Sequence, residues 1–189
     1  MHEILDAQQE HWQKIFSQRP EMFGAEPSEP ARIMLEWLKR DGKTRLLELG
    51  SGQGRDTLFF ARNGLRVQAL DYTATAVEAI NDKARKLGLS ESMTALQHDI
   101  RQPLPFTDDC FDACYSHMLY CMALTTSDLE FLSREVWRVL RPGGLHVYTV
   151  RHTHDPDYGK GAPRGEDMYE AGGFIVHYFS REKVARLAS

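Results

Sequence analysis

Apolar positions along the chain recur with two periods, and the switch between them marks out alternating helices and strands. In residues 7–16, Trp12, Ile15 and Phe16 share one helical face, and Arg19-Pro20 closes the run. Residues 31–40 repeat the helical spacing through Ile33, Met34, Trp37 and Leu38. Ser28 is placed to cap that helix, with Pro30 in its first turn and Asp41-Gly42 at its end. RLLEL at 45–49 reads as a short buried strand, a glycine-rich turn follows, and Leu58, Phe59 and Ala61 then form a helix that Asn63-Gly64 stops. LRVQALD is a second strand ending at Asp71, and a helix over 74–87 buries Val77, Ile80 and Ala84 before Gly88 ends it. MTALQHD gives a third strand ending at Asp99 and FDACYSH a fourth. LEFLSREVWRVL is the next helix, and LHVYTV, beyond the stop at Arg141-Pro142-Gly143-Gly144, is the fifth strand.

Five such alternations joined by right-handed crossovers build a parallel sheet with helices on both faces, so the fold class is doubly wound α/β. Residues 151–173 are rich in Gly, Pro, His and Tyr and too long for an ordinary connection. They predict a functional loop whose Tyr158 and Tyr169 form a lid hinged at Gly159, Gly161, Gly172 and Gly173. GFIVHYF is one more extended piece, and Ser180 caps a closing helix.

At 189 residues the chain supplies one sizeable core. A net charge of -4, with Lys and Arg scattered among acids, offers no field for phosphate backbones or anionic lipid, so neither nucleic acid nor membrane is an expected partner. MHEILDAQQEHWQK has no apolar core of signal-peptide length, and no window reaches ~18 uninterrupted apolar residues, which predicts a cytoplasmic protein. Cys110, Cys114 and Cys121 are odd in number and crowded into one region. Neither they nor His152 and His154 match a disulfide framework or a zinc spacing, so no metal is expected.

The turn after the first strand is Gly50-Ser51-Gly52-Gln53-Gly54, with Arg55 where the dinucleotide fingerprint G-x-G-x-x-G has its third glycine. A pyrophosphate also prefers bare amides at a positive helix end, whereas Glu48 and Asp56 flank this turn. The acids suit an amino-acid-like, cationic ligand better.

ELGSGQG, the acid Asp71 seventeen positions after Gly54, Asp99-Ile100 and LRPGG before the fifth strand occur in the order and spacing of one family. The span from about Trp12 to Val150 resembles the class I S-adenosylmethionine-dependent methyltransferases, and GSGQGRDTLFFARNGLRVQALDY is similar to their tellurite-resistance and thiopurine-type members. The resemblance implies a Rossmann-like methyltransferase fold, with residues 1–40 as a helical cap and 41–189 as the S-adenosylmethionine-binding domain. It places Glu48, Gly50, Gly52 and Gly54 around the methionine portion and Asp71 on both ribose hydroxyls. Tyr72, Asp99 and Ile100 would lie at the adenine, and Ser116 and His117 would face the activated methyl. Trp12, Phe16 and Phe23 either cover the cofactor or anchor the core. The family's closing pair of strands has no counterpart here, which predicts an exposed edge at the fifth strand: either the chain is truncated relative to the family or a second chain covers the edge, as in a homodimer.

Methyl transfer needs alignment more than a catalytic triad, because the cofactor brings the leaving group. Catalytic candidates are His117 and Ser116, and substrate-binding candidates are Tyr120, Arg151, His177 and Tyr178. Met118, Tyr120 and Met122 read more readily as core. The leading expectation is a methyltransferase for a small-molecule acceptor. The alternatives are one acting on RNA or protein, for which no N/D-P-P-Y/F/W segment follows the fourth strand, and a binding module without turnover.

Overall fold

A computed structural model describes residues 2–188, with side chains from residue 7 onward. Helices α1 (His2–Gln18) and α2 (Glu29–Arg40) precede an alternating run of β1 (Arg45–Leu49), α3 (Arg55–Arg62), β2 (Arg66–Asp71), α4 (Ala74–Leu87), β3 (Met93–Gln97), β4 (Phe111–His117), α5 (Thr126–Val139) and β5 (Leu140–Thr149). Then come β6 (Arg151–His152), β7 (Ala162–Gly165), β8 (Met168–Ala171), β9 (Phe174–Phe179) and α6 (Arg181–Leu187).

Strands β1 to β5 form one parallel sheet in the order β3-β2-β1-β4-β5. The chain winds outward from β1 to β3 and returns to β4 beside β1, so the strand order reverses between β1 and β4. Period-two alternation sends Leu46, Ala113 and Tyr115 to the face covered by α2, α3 and α4, and Leu47, Leu49 and Cys114 to the face covered by α5. On α5, Leu129, Leu132, Val136 and Val139 are buried, each worth roughly 1.5–3 kcal/mol of transfer free energy. Thr125 and Asp128 close a capping box at its start. Ser28 caps α2 by accepting from the Ala31 amide, with Pro30 in the first turn. The segment 1–40 divides in two: α2 places Ala31, Met34, Leu35 and Leu38 in the main core, whereas α1 lies over the mouth of the crevice.

Among the described residues β5 pairs only with β4 and is the edge of the sheet. Its register jumps from Phe111↔Leu140 to Ala113↔Leu145, so Arg141-Pro142-Gly143-Gly144 loops out of the ladder. β3 stops at Gln97, two residues before the predicted end. The His98 amide still bonds to the Asp71 carbonyl, after which Asp99 turns to accept from Arg101.

The stretch predicted as an open loop is largely folded. β7, β8 and β9 form an antiparallel meander, and β6 pairs in parallel with β9. The β7–β8 turn is Glu166-Asp167, both at positive φ (53° and 64°), a hairpin made without the Asn-Gly or Asp-Gly signal that usually announces one. Among the described residues no helix is long and apolar enough to cross a membrane, and no group of His, Cys, Asp or Glu gathers as a metal ligand set.

Candidate functional site

A cavity of about 680 Å3 opens where the sheet order reverses, at the carboxyl ends of β1 and β4. Its floor is the glycine turn. Gly50, Gly52 and Gly54 all have positive φ (67°, 52° and 80°), which only glycine adopts cheaply. Four of the turn's five amides are spent inside the chain: Gly50 and Ser51 donate to the Leu70 carbonyl, Gly52 to Asp71 and Gly54 to Ser51. With those four amides engaged, the floor is poorly suited to act as an anion nest. What faces the cavity is acceptor chemistry.

Glu48 is buried, and its Oε2 accepts from Thr57 Oγ1 at 2.5 Å. Burial, reinforced by the Asp56 charge, pushes its carboxyl up to about 8, a state that an incoming cation would relieve. Asp71 Oδ1 accepts from both the amide and the hydroxyl of Thr73, and its Oδ2 from the Gly52 amide. Three of its roughly four acceptor positions are therefore filled. The expectation of two ribose hydroxyls on this carboxylate reduces to one further donor on Oδ2. Tyr72, Asp99 and Ile100 line the same end. Asp99 is clasped by Arg101 at 2.7 Å. Burial opposes ionisation, but the Arg101 bonds outweigh it and hold the carboxyl below its ordinary value.

His117, Met118, Arg151 and Tyr178 line the same cavity. His117 lies parallel to Tyr115, and its Nδ1 sits 2.8 Å from Thr149 Oγ1, which also accepts from the Met118 amide. Burial pushes the His117 imidazole down, partly opposed by Asp56, so the ring is held toward its neutral form. Met118 has φ 64°, backbone strain held at the edge of the site.

Four sequence candidates lie elsewhere. Ser116 alternates to the opposite face of β4, fully buried with its hydroxyl unpaired. Tyr120 is buried against Tyr148, with ring centroids 4.6 Å apart. His177 alternates inward on β9, where Nδ1 meets the Leu124 carbonyl at 2.7 Å and Nε2 the Lys183 ammonium at 2.6 Å. Gly54 faces α4: a Cβ there would lie 2.5 Å from Ile80 Cγ1, so the residue sets helix packing and does not touch the cavity. Conversely Met118 and Met122, which read as core, line the cavity.

The cover is α1 together with the small sheet. Gln8, Trp12 and Phe16 face the cavity, as do Phe23 and Phe174, and Trp12 packs on Phe16 and Phe174 at 5.3 and 5.0 Å. Side-chain amides hold the cover in place. Gln8 bonds to the Gly173 carbonyl and the Ile175 amide, Gln9 to the Tyr72 carbonyl, and Gln13 to Thr75. From the glycine turn, Gln53 donates to the Phe16 and Arg19 carbonyls and accepts from the Met22 amide. Asp56 is the second joint. It accepts from the Ser28 amide at 2.8 Å, the Ser28 hydroxyl at 2.7 Å, Tyr115 at 3.1 Å and Arg55 at 3.0 Å, tying the start of α2 to α3 and β4. No spacing in the sequence announces either joint, because both depend on contacts between distant segments.

Comparison with known proteins agrees with this geometry. The chain is 28% identical over 149 residues to 24-methylenesterol C-methyltransferase 2 of Oryza sativa subsp. japonica, a match covering 76% of this chain and 40% of that one. The chain thus spans about two fifths of that relative's length. Its fold matches an S-adenosylmethionine-dependent methyltransferase of Methanosarcina mazei with a TM-score of 0.67, at 21% identity and 77% coverage of each chain. It also matches the 1,6-didemethyltoxoflavin-N1-methyltransferase of Burkholderia thailandensis, solved with S-adenosylhomocysteine, with a TM-score of 0.65 at 20% identity, over 84% of this chain and 64% of that one. Residues 46–144, which run from β1 through the glycine turn to the loop before Leu145, match the methyltransferase domain family, and the chain belongs to that family.

Proposed function

We propose that this chain binds S-adenosylmethionine at the acidic end of the cavity and methylates a small-molecule acceptor held at the other end. The observation that carries the reading is one continuous cavity in which Glu48, Asp71 and Asp99 share space with His117 and an apolar wall. The residues fit the cofactor. A buried carboxyl with one oxygen on Thr57 suits an ammonium, Asp71 keeps an acceptor position for a hydroxyl, and Tyr72 and Ile100 offer apolar walls for a purine.

When bound, S-adenosylmethionine supplies a methyl group activated on a sulfonium. The chain's part is alignment and proton handling. In the tautomer whose Nδ1–H donates to Thr149, His117 would keep its Nε2 lone pair to take a proton from an oxygen or nitrogen acceptor. The cover of α1, β8 and β9 keeps water from the reacting ends. A small acceptor is supported by this cover, by the absence of a basic stripe, and by the small molecules in the names of the sterol and toxoflavin methyltransferases that the chain resembles.

The test is calorimetric titration with S-adenosylmethionine, followed by a labelled-methyl transfer screen over thiols, phenols, amines, alcohols and carboxylates. Binding with transfer to at least one acceptor is the expected result. Binding without transfer to any would make the chain a binding module, and binding of NADH in its place would overturn the reading.

A further inference from the structure

The acceptor half of the cavity has a definite chemical character. On β8 and β9, alternation turns Tyr169, Phe174, Val176 and Tyr178 toward the cavity, while Ile175, His177 and Phe179 are buried on the other side. Across from them stand Met118, Leu119, Met122 and Leu124 of the turn after β4. Thioethers and aromatic faces make an adaptable apolar surface.

The cations of the cavity wall are already matched within the protein. Arg55 lies 3.0 Å from Asp56, Arg101 2.7 Å from Asp99, Arg151 3.2 Å from Asp155, and Lys160 3.2 Å from Asp157. Lys83 donates to the Gln53 carbonyl at 2.8 Å. A carboxylate or oxyanion would have to strip one of these cations from its partner or be desolvated alone. A cationic acceptor would meet, between the 118–124 turn and β9, His117, two tyrosines and apolar walls, while the lining acid Asp157 is already engaged by Arg151 and Lys160.

We infer that the acceptor is an uncharged, largely apolar small molecule, seated between the 118–124 turn and the cavity face of β8 and β9 with its reacting end toward His117. The inference rests on the methyltransferase reading for the identity of the other ligand, but its own evidence is the wall.

The test uses Nile red, an uncharged apolar fluorophore, titrated into the full chain with saturating S-adenosylhomocysteine. It is then displaced by matched series of phenols and alcohols against benzoates, alkanoates and alkylamines. Uncharged members should displace the dye at concentrations at least about tenfold lower than their charged counterparts. Val176→Asp should weaken the dye about tenfold and Val176→Asn less, with S-adenosylhomocysteine affinity unchanged in both. Absence of dye binding, displacement by carboxylates or amines at equal concentrations, or a folded Val176→Asp chain that binds the dye normally would each overturn the inference. The displacement series needs no variant, so a misfolded substitution does not blunt the test. If S-adenosylhomocysteine fails to bind while neutral molecules still displace the dye selectively, the cofactor reading falls and the apolar site stands. If it binds and charged molecules win, only the acceptor class falls.

Discussion

Replacing Gly54 by Ala separates two demands that the glycine turn makes on its third glycine. At φ 80° an L-residue pays about 1–2 kcal/mol for the left-handed backbone, and a Cβ placed 2.5 Å from Ile80 Cγ1 adds an overpacking cost of about 1–3 kcal/mol. Gly54→Ala should therefore lower unfolding free energy by about 2–5 kcal/mol, read from urea midpoints at constant m-value. Ile80→Ala removes the atom that the new methyl meets, at a cavity cost of about 2–5 kcal/mol of its own. In the double variant the clash is gone and only the backbone strain adds to the Ile80→Ala loss, so the pair should be less destabilised than the sum by about 1–3 kcal/mol. Because Gly54 does not line the cavity, the folded fraction should bind S-adenosylhomocysteine with a Kd within about twofold of the parent. A loss below about 0.5 kcal/mol for Gly54→Ala, or strict additivity in the double variant, would refute the packing argument. A selective loss of ligand affinity would return Gly54 to the cofactor site.

Asp56→Ala leaves the Ser28 amide without its acceptor and the half-buried Arg55 without its carboxylate, and should cost about 3 kcal/mol at pH 7 in urea unfolding. Burial alone would raise the Asp56 carboxyl, but the Arg55 and Ser28 bonds hold it below its ordinary value. Its contribution is thus complete above about pH 4 and lost as pH falls through the folded-state value, so parent and variant should converge in acid. Glu48 titrates the other way: pushed up to about 8, it binds a proton in the folded chain that the unfolded chain has released, so stability should fall from about pH 5 to 8. Glu48→Gln should flatten that slope while weakening S-adenosylmethionine, and parent binding near pH 7 should release a proton, visible as a buffer-dependent calorimetric enthalpy. For an oxygen or nitrogen acceptor, His117→Ala should lower kcat by about 10²–10⁴ with unchanged cofactor affinity. The acid limb of parent activity should then fall below the ordinary histidine value, and an unchanged kcat would remove His117 from proton transfer.

The main sheet was legible because chemical breaks separate its elements: Asp41-Gly42, Asn63-Gly64 and Gly88 stop the helices, and the apolar periods between them are long. Glu48, Asp71 and Asp99 could be placed from the sequence because a doubly wound fold brings strand ends to one crevice. What one dimension hides is side-chain direction. Ser116 and His117 are neighbours, yet the pleat sends one to the α5 face and the other into the cavity. His177 and Tyr178 divide in the same way, with Tyr178 on the cavity side. Of the small sheet only β9 was legible, as the extended piece GFIVHYF; β6, β7 and β8, of two to four residues, carry too few positions to show a period, and the Glu166-Asp167 turn lacks glycine. Tyr158, expected as part of a mobile lid, is instead pinned to Asp167 at 2.7 Å.

Gln53 sits between two of the glycines that shape the floor while its amide holds the carboxyl end of α1 in the roof. Floor and roof are thereby one cooperative unit. A rearrangement of the turn large enough to admit or release a ligand tugs at the Phe16 and Arg19 carbonyls, and a departing α1 removes the bonds that hold the Gln53 side chain. Lifting the roof therefore means releasing the three hydrogen bonds of Gln53 together with those that Gln8, Gln9 and Gln13 make from α1.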